Sequence, residues 1–195
     1  RTRLTRLQIS NFKRFDDVSI DLGKSVVFIG PNNSGKTTAL QALALWDIGL
    51  RLWNAKRGGK ASPEKRPGVT INRRDLISIP VPVANLLWRG LHVREGQQVG
   101  GKTRTANIRI DILVDGISSD TPWTCGLEFD YSNEESLICR PLRLKGFEHQ
   151  PVPQSKFSEI PEAALSVKVA FLPPMSGLAA TEPKWELGRI NVLLG

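Results

Sequence analysis

One stretch constrains what this chain can fold into more than any other: Val26-Val27-Phe28-Ile29-Gly30-Pro31-Asn32-Asn33-Ser34-Gly35-Lys36-Thr37-Thr38. Its four leading apolar residues read as a short buried strand. The loop that follows fits G-x-x-x-x-G-K-[ST], with Gly30, Gly35, Lys36 and Thr37 in the fixed positions. Apolar residues then recur at helical spacing, at Ala39, Leu40, Ala42, Leu43, Trp46 and Leu50. Strand, loop and helix in that order are the setting this motif requires.

Chemistry accounts for each residue of the loop. Backbone N–H groups over residues 31–37, among them those of Asn32, Asn33 and Ser34, turn inward as a nest for phosphate at a helix N-terminus, where the dipole favours an anion. Gly30 and Gly35 sit where the chain needs unusual dihedrals or no Cβ. Lys36 reaches the β- and γ-phosphates as a point charge and is the catalytic candidate. Thr37 gives its hydroxyl to Mg²⁺, and Thr38 adds a donor near the α-phosphate. The competing reading is a glycine-rich turn that holds no ligand.

Composition bounds the answer further. A chain of 195 residues suffices for one sizeable core. No run approaches the roughly 18 apolar residues of a membrane span, and no charged-then-apolar leader precedes the first strand, so the cytoplasm is the expected compartment. Cys125 and Cys139 lack C-x-x-C spacing and fall in predicted strands, which favours a buried thiol pair over a disulfide or a metal site. The net charge of +8 is unevenly spread: residues 51–109 hold 13 Lys/Arg against Glu64, Asp75 and Glu95, a local balance of +10. Such a segment is either a surface that tracks nucleic-acid phosphates or a solvated basic loop.

Along the chain, residues 3–12 read as a first strand, Lys13–Asp17 as a turn, and Val18–Leu22 as a half-buried antiparallel partner. Residues 54–72 read as a long surface loop with an ordered patch from Ile71, and Val83–Trp88 as a short helix behind Pro80 and Pro82. A β meander follows. Ile108, Ile110, Ile112 and Val114 alternate, then Trp123, Cys125, Leu127, Phe129 and Tyr131, then Leu137–Leu144. Ile112-Leu113-Val114-Asp115 imitates a metal-holding Walker B strand. Gly116 stands where a glutamate is expected, and the two-faced alternation argues against a buried parallel strand, so Asp115 reads as a turn residue. Ser158–Leu165 reads as a short helix and Val167–Leu172 as a closing strand.

The opening also resembles a known family. L-x-x-L-x-I-S-N-F-K-x-F, a short hairpin, then G-P-N-N-S-G-K-T-T, covering residues 4 to about 50, is similar to the N-terminal half of the ATPase head shared by SMC, RecF and related ABC-type ATPases. The doubled Asn32-Asn33 looks more like the stand-alone AAA-type heads of OLD-family nucleases and related phage-defence ATPases. The resemblance implies an α/β fold: a P-loop NTPase, ABC ATPase-like lobe with an added antiparallel β meander. It divides the chain into hairpin, P-loop and helix (1–52), a basic insertion (53–105), and meander with closing strand (106–172).

It further implies ATP and Mg²⁺ as ligands, with Asn11, Phe12, Lys13 and Arg14 lying against base and ribose; core packing is the alternative for Phe12 and Phe15. A signature serine, a Walker B aspartate with its glutamate, and a switch histidine are not found, and no glutamine stands at Pro173-Pro174, where related heads carry one. The chain is therefore expected to be an N-terminal lobe whose partner in the whole protein is a second ATPase head. Two functions fit: an ATP-driven engine acting with DNA, in part through residues 51–109, or an ATP-sensing module that gates an attached nuclease. A membrane transporter subunit fits poorly, because the Asn-Phe-Lys hairpin replaces the adenine-stacking aromatic of those proteins.

Overall fold

The computed structural model describes residues 2–31, 34–58, 68–143 and 157–170. The chain is a mixed α/β structure built on a six-stranded antiparallel sheet ordered β2-β1-β6-β7-β8-β3. Its strands are β1 (Thr2–Phe12), β2 (Phe15–Asp21), β3 (Val69–Asn72), β6 (Ile110–Ser118), β7 (Thr121–Asn133) and β8 (Ser136–Pro141). A separate two-stranded ribbon pairs β4 (Arg94–Val99) with β5 (Lys102–Asn107). One 22-residue helix, α1 (Lys36–Arg57), lies on the large sheet, and α2 (Glu162–Leu165) is a single turn behind Pro161.

Period-2 patterning makes the sheet. Leu7 and Ile9 of β1, Ile110, Ile112 and Val114 of β6, Cys125, Leu127 and Phe129 of β7, and Leu137 and Cys139 of β8 are all buried. Against them α1 sets Ala42, Leu45, Trp46 and Leu50. The helix comes closest at Gly49, where a Cβ would stand 2.8 Å from Cys139 Sγ and 2.9 Å from the Phe129 ring. Trp46 is fully buried and donates its indole N–H to the Cys125 carbonyl at 3.1 Å. Both cysteines are free and buried, and burial pushes the Cys125 thiol up to about 12.

Three elements differ from the sequence expectation. Residues 22–30 form no strand; Val26, Val27 and Ile29 are exposed, Ile29 by 91%. An apolar run of that kind needs strands on both edges to satisfy its amides and carbonyls, and among the described residues none runs beside it. Residues 167–170 likewise form no strand, and 171 and 172 lie outside the described residues. Asp115 is not in a turn but within β6, where its carboxylate accepts from Arg6 Nε and from Thr124 Oγ1, each at 2.6 Å. Those two partners occupy it, so the rejection of a Walker B role stands on different ground. Smaller shifts follow from tertiary pairing: α1 continues to Arg57, Val69–Asn72 joins β8, and the helix expected near Val83–Trp88 is a 3₁₀ turn over Ala84–Leu87.

The face of the sheet opposite α1 carries a charged cluster beside Leu113 and Leu142. Glu128, fully buried in the middle of β7, accepts from Arg109 Nη1 (3.0 Å), Arg140 Nε (2.5 Å), Arg143 Nε (2.7 Å) and the Arg143 backbone N–H (3.0 Å). Asp130 pairs with Arg140 and, at 3.6 Å, with Arg143. Asp111 completes three carboxylates against three guanidinium groups, 3.8 Å from Arg109.

Desolvation lifts the Asp111 carboxyl to about 6, only partly opposed by Arg109. Between about pH 4 and pH 6 the folded chain then binds more protons than the unfolded one, so stability falls as pH rises through that window and stays lower above it. Asp111→Asn is expected to remove this component. The cost of the charge is at most about 3 kcal/mol, less because the side chain is 25% exposed. Urea midpoints at pH 4.5 and 7.5 test it; a variant whose pH dependence matches the original acquits Asp111.

Candidate nucleotide-binding site

The loop ahead of α1 is organised by its glycines. Gly35 caps the helix with φ 97° and ψ 0°, the left-handed region where a side chain is strained. A Cβ there would stand 2.8 Å from the Phe15 ring, and one at Gly30 would stand 3.0 Å from Ser34 Oγ. The Ser34 N–H donates to the Pro31 carbonyl at 3.3 Å, and the Ala39 N–H to that of Gly35 at 2.9 Å. Asn32 and Asn33 lie outside the described residues.

Two features of the N-terminus of α1 point to an anion. The helix has no side-chain cap and no acidic residue in its first turn, so its amides and the positive end of its dipole lack the usual compensation. Lys36 adds a full charge there. Its ammonium donates to the carbonyl oxygens of Gly30 (2.5 Å) and Pro31 (2.7 Å) and approaches Ser34 Oγ at 3.3 Å. All of these partners are neutral. Thr37 is exposed and Thr38 half-buried on the same first turn.

The turn between β1 and β2 lies against this loop. Phe15 packs on Gly35, and Arg14 Cδ would lie 3.7 Å from a Cβ built there. Asn11 and Lys13 both adopt positive φ, 57° and 50°. Lys13 donates its ammonium to Gln41 Oε1 on α1 at 2.7 Å and its backbone N–H to the Leu87 carbonyl at 2.8 Å; burial lowers its pKa. Asn11 spends its side-chain amide on the Arg109 carbonyl at 2.9 Å. Arg14 thus stands beside the loop, Lys13 reaches the helix behind it, and Asn11 is committed to holding β1 near the start of β6. Phe12 is fully buried, while half-buried Phe15 forms one wall of the loop. Gln41 went unread in the sequence, although it is a polar break in the apolar face of α1.

Residues 3–46, which contain the loop, the first turns of α1 and the β1–β2 turn, match the family model of the AAA ATPase domain. Over 42 residues the chain is 45% identical to the OLD nuclease of Thermus scotoductus (strain ATCC 700910 / SA-01). That alignment covers 22% of this chain and 8% of the nuclease. The likeness to AAA and ABC-type ATPases is thus carried by the N-terminal quarter of the chain, and the OLD-type likeness by a stretch of similar length. Among the described residues, no helix is long and apolar enough to cross a membrane, and no group of three or more His, Cys, Asp or Glu is arranged to hold a metal ion.

Proposed function

We propose that this chain is the ATP-binding lobe of an ABC-type ATPase head of the P-loop NTPase class, acting in the cytoplasm. The observation that carries the reading is the Lys36 ammonium, held among the described residues by neutral oxygens at an uncapped helix N-terminus behind a left-handed Gly35. The fit to a nucleotide is chemical: a cation without a described counter-ion, a helix N-terminus with no side-chain cap and two glycines where a Cβ would crowd a neighbouring side chain. Gly30 to Thr38 would wrap the phosphates, Lys36 would bridge the β- and γ-phosphates, and Arg14 and Lys13 would flank the nucleoside end. Thr37 would hold Mg²⁺, which supplies charge neutralisation of the β- and γ-oxygens.

In the whole protein, the reading continues, ATP joins two heads and its hydrolysis releases them, coupled to DNA repair, DNA processing or phage defence. The similarity to a nuclease favours a second version, in which ATP occupancy gates an attached effector with little turnover. Calorimetric titration with ATP, with and without Mg²⁺, and with AMP as control is the test. Binding is expected to require the triphosphate and to tighten with Mg²⁺. AMP binding as tightly as ATP, or no ATP binding at all, would overturn the assignment.

A further inference from the structure

The ribbon β4–β5 stands apart from every packed layer. Its strands belong to their own two-stranded sheet, joined by Gly100 (φ 58°) and Gly101 (φ 74°), the paired positive dihedrals of a tight hairpin turn. A Cβ at either glycine would meet nothing within 4 Å, so the tip is in open space. Arg94, Glu95, Gly96 and Gln98 of one strand, and Thr103, Arg104, Thr105 and Asn107 of the other, are exposed. By contrast, the root is fixed: the Ile108 N–H donates to the Val93 carbonyl at 3.0 Å, buried Trp88 donates its indole N–H to the Ile108 carbonyl at 2.6 Å, and the Arg94 guanidinium lies 5.9 Å from the Tyr131 ring centroid.

An isolated two-stranded hairpin is marginal unless something uses it. Residues 94–107 contain only Val99 and Ala106 as larger apolar groups, so no hydrophobic partner is offered a face. What they do contain is Arg94, Lys102 and Arg104 against Glu95, with Gln, Thr and Asn side chains between. Register sets Arg94 opposite Asn107, Gly96 opposite Thr105 and Gln98 opposite Thr103, so beyond Arg94 at the root one face carries amides and hydroxyls, with Gln98 Nε2 donating to Thr103 Oγ1 at 2.8 Å, while Arg104 lies on the other.

We propose that this ribbon is an arm that enters the major groove of duplex DNA, its amide and hydroxyl face toward the base edges and the long cationic side chains of its outer face reaching round to the phosphates that rim the groove. Two strands with their side chains fit a groove about 12 Å wide, and six residues reach about 20 Å along it. The narrow major groove of A-form RNA would not admit them. The arm deepens the DNA-linked part of the function proposed above but needs no nucleotide, so failure of either leaves the other standing.

The test is fluorescence anisotropy of a labelled 25-base-pair DNA duplex with the chain, without ATP, over a salt series. The original chain is expected to bind with a salt-dependent affinity. Lys102→Ala/Arg104→Ala is expected to lower the slope of log K against log salt by about two, at roughly 0.9 per lost phosphate contact, with its circular dichroism unchanged because the ribbon lies off the core. Lys24→Ala/Lys168→Ala, at exposed cations elsewhere, is expected to change the slope little. The proposal fails if the original chain does not bind the duplex, if the two double variants lower the slope equally, or if an RNA duplex of the same sequence binds as well.

Discussion

Lys36→Ala is expected to weaken ATP binding by a hundredfold or more while leaving the fold intact. Charge-assisted hydrogen bonds are worth about 1.5–3 kcal/mol each, and an ammonium bridging two phosphates makes two of them, so its loss amounts to about 3–6 kcal/mol. Among the described residues the same ammonium touches the carbonyls of Gly30 and Pro31 and the Ser34 hydroxyl, all on an exposed loop. Truncating it therefore strands no buried partner, and the melting temperature should stay within the scatter of surface substitutions. Lys36→Arg is expected to bind poorly as well, since a flat fork replaces a compact charge in a cradle closed by Phe15 and Ser34. Calorimetry on the three proteins decides it: equal affinities would mean that Lys36 holds no phosphate.

The second large effect is one of stability. Glu128→Ala is expected to cost about 3–5 kcal/mol, the penalty for breaking a buried ion network from one side. Arg109, Arg140 and Arg143 are each less than a fifth exposed, so water cannot replace the carboxylate that serves all three. For a chain of this size that corresponds to a melting temperature lower by roughly 6–20 °C. A loss below 1 kcal/mol in urea unfolding would mean that the cluster is screened like an exposed pair.

These two sites mark the limits of what could be read before folding. The loop was legible because its chemistry is local: glycines, a lysine and a threonine at fixed offsets, followed by a helical period. The meander was legible for the same reason, since alternation along β6 and β7 names the apolar face without reference to a partner. Glu128 was not. It occupies the polar phase of β7, which in isolation reads as solvent-facing, and is buried where Arg140 on the flanking strand β8, Arg109 just before β6 and Arg143 just beyond β8 close over it. The antiparallel pairing of β1 with β6, more than 100 residues apart in the chain, likewise leaves no local trace. Val26–Ile29 failed in the opposite direction. Composition promised a buried strand, but burial of a strand is decided by its neighbours, and the described residues supply none.

That bare segment has a practical corollary. Val27 and Ile29 are 79% and 91% exposed and among the described residues no strand pairs with them, so they offer an adhesive edge, against which the net charge of +8 sets like-charge repulsion between copies. Added electrolyte screens that repulsion without weakening apolar contact. The conditions that would strip a polyanion from the chain are thus the ones that favour its own clumping, and light scattering has to accompany any titration of the first kind.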